Sequence, residues 1–379
     1  MTNRTFPRDA GQCIVPGIGL TFVAMANSTR RSAWALLVCC IVAGPAVGEN
    51  KTFADAQAEQ TRSQTDVQQS AASLSFVRAF SSNDDVRRFH PFLNRAMEFM
   101  AGHKDDAAPV NVLQSPSAVT TDSNHHVFVA DPGANGVHVF DFSHSKYFLL
   151  EKGRDRFGSP VSLAVDAHNN LYVVDKAART VIIYDSAGNF RGHFWTPRED
   201  SYLGSAAGIA IDKATGMVYV CDIQRHIIVV MDDRGRPIRE IGKLGGGTQS
   251  GEFRFPSQVV VEGGELFVLD VGNTRIQILD TAGHFLRAIS LTYADHHTGL
   301  AVDGQGNVYV SNFVLNQIDV YNHDADRLYT LDLSTVQGEK FVHPSGLWVD
   351  AGYCLYVVDA QSNRIGLFQI NGKNARQCR

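Results

Sequence analysis

The sequence predicts an all-β fold, a six-bladed β-propeller, and three observations support this prediction. A pattern of short apolar segments recurs six times between residues 116 and 370. In each copy the middle segment is almost continuously apolar, which is typical of a strand that is buried on both faces. Glycine is frequent, at 33 of 379 residues, as expected of many short strands joined by tight turns.

The charge balance argues against a nucleic-acid partner. Charged residues make up 19% of the chain, and the formal net charge is −5. Proteins that bind nucleic acid normally present a basic surface to the phosphate backbone, and this composition does not supply one. We therefore predict no nucleic-acid partner. The hydrophobic fraction of 44% is sufficient for a sizeable core.

Residues 1–48 are predicted to be a signal peptide. Arg30 and Arg31 precede an apolar run at 33–48, with Ala46 and Gly48 at the −3 and −1 positions of a cleavage site. A basic segment, an apolar run and a small-residue end are, in this order, typical of a secretory signal. The run is shorter than the roughly 20 residues of a membrane-spanning helix. We therefore predict an exported protein, periplasmic or extracellular, with no transmembrane segment after cleavage.

Two alternatives at the N-terminus stay open. Met25 is followed by ANSTRRSAWALL, which would itself begin a well-proportioned signal peptide, so translation from Met25 is one hypothesis. Cys39 and Cys40 raise the question of a lipid anchor, although neither follows the small residue that such a site requires.

Three cysteines remain after the predicted leader. Cys221 stands at a position where other repeats carry small or apolar residues, so it is expected to be an inert core residue. Export would permit a disulfide, but the spacing of Cys354 and Cys378 indicates no known framework. Whether these two residues pair stays open.

The remaining chain divides into three predicted parts. Residues 49–73 are rich in Gln, Ala, Ser and Thr and have almost no large apolar side chains, so they are expected to form a disordered tether. Residues 74–110 are expected to hold a latching strand and a helix, and residues 111–379 the propeller.

The latching strand is needed because the sixth repeat ends after its third strand. Ser75–Phe80 is the best donor of a fourth strand, and MEFMAG at 97–102 is the alternative. Between the first donor and the first blade, apolar residues recur at helical spacing, which predicts a short amphipathic helix. They are Phe89, Phe92, Leu93, Ala96, Met97 and Met100.

Each repeat has the same internal order. The first strand ends in an acidic residue and is followed by a turn. An apolar second strand ending in Asp or Asn comes next, and then a loop and a third strand. An example is PSQVVVE-GGE-LFVLD-VGNT-RIQILD at 256–280. A fourth, less regular strand follows most copies. The first acidic residue recurs at steps of 44, 46, 50, 41 and 47, at Asp122, Asp166, Asp212, Glu262, Asp303 and Asp350. Units of this length without polar capping repeats favour a closed ring of four-stranded blades over a solenoid.

This pattern resembles the NHL repeat, and in particular NHL-repeat propellers of bacterial exported proteins. The cleanest copies are DVGNTRIQILDTAGHFLRAI at 270–289 and DAQSNRIGLF at 359–368. The resemblance covers residues 116–370 and implies a six-bladed ring. The fifth copy departs most, with Asn312 in place of Asp and FVLNQI in place of NxRI.

The recurrent aspartates are interpreted as structural. Asp131, Asp175, Asp222, Asp270 and Asp359 end the second strands, and an acidic residue also ends most first strands. An Asp side chain accepts hydrogen bonds from the backbone of the following loop and so fixes the turn. Recurrence around a ring favours this role over an acidic metal site, because active sites break symmetry.

Residues that break the symmetry are the candidates for function. His296 and His343 are predicted at equivalent positions of adjacent blades, near the mouth of the channel, with Asp295 and His297 beside the first. Imidazole and carboxylate groups can bind zinc or another divalent ion such as calcium. The cluster resembles the histidine-bound zinc site of the amidating lyases. In those enzymes the histidines follow the proline at the start of the innermost strand, whereas here they precede or replace it. Loop histidines without a ligand are the alternative.

Four loop arginines form a second candidate set, for binding an anionic partner: Arg179, Arg225, Arg275 and Arg364. A guanidinium group can hold an anion by two parallel hydrogen bonds. The resemblance also offers the alternative that such arginines brace neighbouring loops. Glu262 and Asn312 are single candidates for the calcium set of lactonase-type propellers, too few to assemble one.

Two hypotheses of function follow. The favoured one is a monomeric, exported, non-enzymatic propeller that binds a protein, a peptide or an envelope glycan through its loop face. The alternative is a metal-dependent lyase or hydrolase with a site near His296, His297 and His343. Nucleophile elbows and HExxH zinc motifs are absent from the sequence.

Overall fold

A computed structural model describes residues 73–88, 112–150, 157–196, 203–292, 296–372 and 377–378. The predicted signal peptide, nearly all of the tether and the helix predicted over 89–100 lie outside these residues. A six-residue helix, α1 (Asn83–Arg88), follows the first strand, β1 (Leu74–Phe80). No helix within the described ranges has the length and apolar character that crossing a membrane requires.

The strands form six antiparallel sheets of four strands each, which confirms the predicted six-bladed propeller. The strands of a blade are called inner, second, third and outer, in order from the axis. Blade one comprises β2 (Ala118–Thr121), β3 (His126–Asp131), β4 (Gly136–Asp141) and β5 (Lys146–Leu150). Blade two comprises β6 (Pro160–Val165), β7 (Leu171–Asp175), β8 (Thr180–Tyr184) and β9 (Phe190–Trp195). Blade three comprises β10 (Ala206–Ile211), β11 (Val218–Asp222), β12 (Ile227–Met231) and β13 (Pro237–Gly242).

The remaining blades repeat this order. Blade four comprises β14 (Pro256–Glu262), β15 (Glu265–Asp270), β16 (Arg275–Asp280) and β17 (Phe285–Ser290), with a short 3₁₀ helix at Val271–Asn273. Blade five comprises β18 (His297–Val302), β19 (Val308–Asn312), β20 (Gln317–Tyr321) and β21 (Arg327–Asp332). Blade six comprises β22 (Pro344–Val349), β23 (Cys354–Asp359) and β24 (Arg364–Ile370), and its outer strand is β1.

The ring closes through β1, which joins the two ends of the propeller. This strand pairs with β24 along its whole length, from Leu74 opposite Ile370 to Phe80 opposite Ile365. It contains the segment Ser75–Phe80 that the sequence offered as donor. Contacts between neighbouring inner strands also run around the full circle, from β2 through β6, β10, β14 and β18 to β22 and back to β2.

Six hydrophobic cores lie between the blades, one at each interface. Successive side chains of a second strand serve different cores: Tyr172 and Val174 pack against blade three, whereas Leu171 and Val173 pack against blade one. Side chains of a strand alternate between the two faces of its sheet. The almost continuous apolar character of the second strands therefore reflects two buried faces.

Small residues let the inner strands approach one another near the axis. In blades two to six a β-bulge follows the first residue of the inner strand. In three of these blades the bulge contains a glycine. A Cβ atom at Gly299 would overlap the carbonyl oxygen of Ser345 in the next inner strand. At Gly346 it would lie 2.6 Å from the carbonyl oxygen of Ser117, across the closure of the ring.

A disulfide joins Cys354 to Cys378, 24 residues apart, which settles the pairing that the sequence left open. The bond ties the C-terminal segment to the second strand of blade six. The Cys378 backbone amide also donates to the Gln369 side chain at 2.7 Å. Cys221 is a buried free thiol, and burial raises its pKa, as expected of an inert core residue.

We expect Gly299→Ala to lower the free energy of unfolding by about 1–3 kcal/mol, because an inner strand must move away from the axis. Gly372→Ala is the matched control, since a Cβ atom there would meet open space. Urea unfolding of both variants measures the difference. Equal stability of the two would contradict the close packing at the axis.

We expect Cys378→Ser to lower the free energy of unfolding by about 3 kcal/mol. The disulfide joins residues 24 apart and so restricts the loop between them in the unfolded chain. Unfolding is compared with and without a reductant. The reductant should destabilise the wild-type chain and leave the variant unchanged, and a reductant-insensitive wild type would contradict the prediction.

Candidate functional site

Five buried aspartates fix the loops at one face of the ring. This face, called the loop face, holds the starts of the inner strands and the loops between second and third strands. Asp175 accepts hydrogen bonds from the amides of Gly158 and Ser159 at 2.9 Å and of Ala178 at 3.1 Å. The same position is fully buried at Asp131, Asp222, Asp270 and Asp359.

These contacts confirm the structural role of the aspartates and extend it. Ala178 belongs to the following loop, as the sequence predicted, but Gly158 and Ser159 belong to the connection ahead of the inner strand. Each carboxylate therefore ties together two connections that lie far apart in sequence. The hydrogen bonds offset the cost of burying a charge, so these groups are committed to the fold.

Two of the four candidate arginines brace the loop face. Arg364 donates from Nε to Asp359 at 3.0 Å and from Nη1 to Glu339 at 2.6 Å, and its guanidinium lies over the Phe341 ring. Arg275 repeats this arrangement in blade four: it donates to Asp270 and to two carbonyl oxygens of the preceding connection.

The other two arginines differ from this pattern. Arg225 pairs with Glu240 at 2.6 Å within its own blade. Arg179 is exposed, and its backbone adopts a positive φ of 50° at the end of its loop. Arg179 is therefore the member of the set that is best placed to meet a partner.

His296 and His343 occupy equivalent backbone positions, as predicted from the sequence. The His296 carbonyl oxygen accepts from the Phe313 amide at 2.8 Å, and the His343 carbonyl oxygen accepts from the Ala360 amide at 3.3 Å. In both cases the donor is the residue directly after the second strand. Their side chains differ, because His296 is exposed whereas the His343 ring stacks on Phe313 at 4.2 Å between centroids.

His297 faces its own blade. Its side chain is buried, and its Nε2 atom lies 4.0 Å from the Asp319 carboxylate on the third strand. Asp295 lies outside the described residues. Among the residues that are described, no group of three His, Cys, Asp or Glu side chains is arranged to hold a metal ion. The three histidines thus share the loop face without forming a set of zinc or calcium ligands.

A cavity of about 610 Å³ lies inside the ring of inner strands. Every blade contributes to its wall, and each inner strand is the edge of its sheet, so unpaired backbone groups face the axis as well. The wall also carries apolar side chains, with Leu163, Ile209, Leu300, Leu347 and Trp348 among them.

The charged groups of the cavity lie at the end opposite the loop face. This end, called the turn face, holds the turns between inner and second strands. The charged residues that line the cavity there are Asp212, Lys213, Glu262, Asp303 and Asp350. The sequence offered Glu262 of this rim as a single candidate for a calcium set, whereas its other candidates were expected at the loop face, so the charged rim as a set was not predicted.

Most of these carboxylates fix their own turns. Asp303 accepts from the amides of Gln305 and Asn307 and from the side chains of Asn307 and Tyr309. Asp350 accepts from the amides of Gly352 and Cys354, at 2.8 and 2.9 Å. This is the turn role that the sequence predicted.

Glu262 is the exception on the turn face. The turn of blade four is reduced to Gly263 and Gly264, both with positive φ, and Glu262 pairs directly with Glu265. Burial raises the pKa of Glu262 and the Asp303 carboxylate raises it further, while the Lys213 ammonium and a hydrogen bond from the Gly263 amide act in the opposite sense. The Glu in place of Asp and the two glycines are the sequence signal that distinguishes this turn from those of the other blades.

Comparison with known proteins supports the fold and little more. No family model matches the chain. A stretch of 131 residues is 24% identical to the Drosophila melanogaster protein brain tumor. That stretch is 34% of this chain and 12% of the relative, so the chain spans only a small part of that protein.

Solved structures with the same architecture include two lyases. A streptogramin B lyase superposes with a TM-score of 0.52 and 14% identity, over 68% of this chain and 94% of its own. The virginiamycin B lyase of Staphylococcus aureus gives 0.51 and 16%, over 70% and 85%. A Bacteroides thetaiotaomicron protein of unknown function gives 0.53 and 14%, over 68% and 69%. At these identities the likeness shows the propeller fold alone.

We expect Arg364→Ala to lower the free energy of unfolding by about 2 kcal/mol, because it removes charge-assisted hydrogen bonds to a buried carboxylate. Arg179→Ala, the matched control, should change it by less than about 0.5 kcal/mol. Denaturant unfolding measures both. Equal effects would show that Arg364 is not a brace.

Proposed function

We propose that this chain is an exported β-propeller that acts by binding a protein or peptide partner on its loop face. The observation that carries the proposal is a group of exposed apolar side chains in the loops of blades three to five. They are Leu244 (65% exposed), Phe255 (45%), Val271 (39%), Val314 (50%) and Leu315 (50%). Exposed apolar groups in neighbouring loops are typical of interaction sites.

The loops that carry this patch are held together, which favours a preformed surface. The His226 ring contacts the Phe255 ring at 4.5 Å between centroids, and its Nδ1 accepts from the Phe255 amide at 2.9 Å. Gly272, next to Val271, packs so closely on Phe255 that a Cβ atom would lie 2.9 Å from the ring. A preformed surface binds with a smaller ordering cost than a mobile one.

Exposed polar groups lie in loops of the same face as the apolar side chains. Arg254 is exposed beside Phe255, and Arg179 and His296 are exposed in loops of the same face. Protein interfaces typically combine an apolar centre with a polar rim in which arginine is enriched. Apolar side chains favour a protein or peptide over an envelope glycan, because a glycan presents mainly hydroxyl groups.

Export is supported by two features. The run at 33–48 has the order of segments that a secretory signal requires. The disulfide between Cys354 and Cys378 is typical of an oxidising compartment. No observation among the described residues favours the alternative of a metal-dependent lyase or hydrolase.

The proposal is tested with peptides that are selected from a random display library against the folded chain. We expect Phe255→Ser and Leu315→Ser to weaken the selected peptides about tenfold each, because each removes a large apolar contact. Titration calorimetry measures the affinities.

Phe190→Ser is the matched control, because Phe190 is 41% exposed on the outer strand of blade two, away from the loop face. Its affinities should equal those of the wild type. A library that gives no binders, or peptides that respond to the change at Phe190 and not to that at Phe255, would refute the proposal.

A further inference from the structure

We propose that the channel cavity is a separate binding site for a small organic cation, whose ammonium group pairs with the Glu262 carboxylate. The cavity lies inside the ring, and its charged end is at the turn face. It therefore does not overlap the apolar patch on the loop face, and the inference goes beyond the proposed function.

The first step is that Glu262 faces the cavity and makes fewer bonds to its own turn than the other rim carboxylates. Two glycines adopt the positive φ angles of this turn, 58° and 80°, and the Glu262 carboxylate accepts there from one amide, that of Gly263. In the other blades that line this rim, the carboxylate holds backbone amides of the turn, as at Asp303 and Asp350. Glu262 is thus the rim carboxylate that is least committed to its turn and has the most capacity left to accept from a ligand.

The second step is the sign of the charge. The rim carries four carboxylates, Asp212, Glu262, Asp303 and Asp350, and one ammonium group, that of Lys213. A cleft with a net negative charge and low-dielectric walls raises the local concentration of cations. An anionic ligand would have Lys213 as its only charged partner among the lining residues.

The third step concerns the walls. Beyond the rim the cavity is lined by Leu163, Ile209, Leu300 and Trp348, and its volume of about 610 Å³ is in the range of ligand pockets. Apolar side chains beside one charged end suit an amphipathic molecule, an amine that carries an aliphatic or aromatic group. A bare divalent ion fits less well, because the described residues hold no set of three ligands.

The test compares phenethylamine with 2-phenylethanol, which has the same ring and chain but no charge at neutral pH. Titration of the folded chain, followed by saturation-transfer NMR, gives the two affinities. We expect the amine to bind about tenfold more tightly, as a charge-assisted hydrogen bond would provide. Glu262→Gln should remove this preference and leave the affinity for the alcohol unchanged.

Lys213→Gln separates the charge argument from a loss of structure. Because it removes the cation that competes for Glu262, it should raise the affinity for phenethylamine, whereas a damaged fold would lower it. Equal binding of amine and alcohol, no amine binding at millimolar concentration, or an unchanged preference in Glu262→Gln would overturn the inference. Phe255→Ser should leave amine binding intact. The proposal of a cation site in the cavity and that of a peptide site on the loop face can therefore be refuted independently of each other.

Discussion

Each blade of this propeller is a sheet with two apolar faces, and neither face is stable in water. The second strand shows the constraint most directly, since Leu171 and Tyr172 are adjacent in sequence and serve different cores. A blade can bury both faces only between two neighbours, and every neighbour has the same requirement. A ring satisfies all six blades at once, whereas a row would leave two faces exposed. The pairing of β1 with β24 and the packing of inner strands at Gly299 and Gly346 are consequences of this closure.

Closure brings the ends of buried strands to the loop face, where backbone groups must still find partners. The buried aspartates supply these partners, because each has two carboxylate oxygens that accept hydrogen bonds from two different connections. Asp359 also receives Arg364, so charge balances charge at a position that water does not reach. Among the described loops of this face, those of Phe255 and Leu315 are held by hydrogen bonds of their backbone amides, and both exposed side chains project from them.

The sequence predicts the repeated strands of the blades and the hydrogen bonds between residues that are close along the chain. Six copies of one pattern define the blades, and the missing fourth strand of the sixth copy points to a donor elsewhere in the chain. Asp at the end of a strand indicates a turn, because its side chain bonds to nearby amides. The donors ahead of the inner strand, such as Gly158, cannot be predicted in this way, because they approach Asp175 only in the folded blade. The pairing of Cys354 with Cys378 depends in the same way on tertiary contact.

The site was harder to predict because function depends on departures from the repeat, and departures have several causes. His343 departs because its ring stacks on Phe313, which is packing between blades. Arg275 and Arg364 depart from other loops because they brace long connections. Glu262 departs for a different reason: its turn is two glycines long and engages the carboxylate through one amide, that of Gly263. A residue that breaks the symmetry therefore indicates function only when the fold leaves part of its bonding capacity unused, and Glu262 meets this condition.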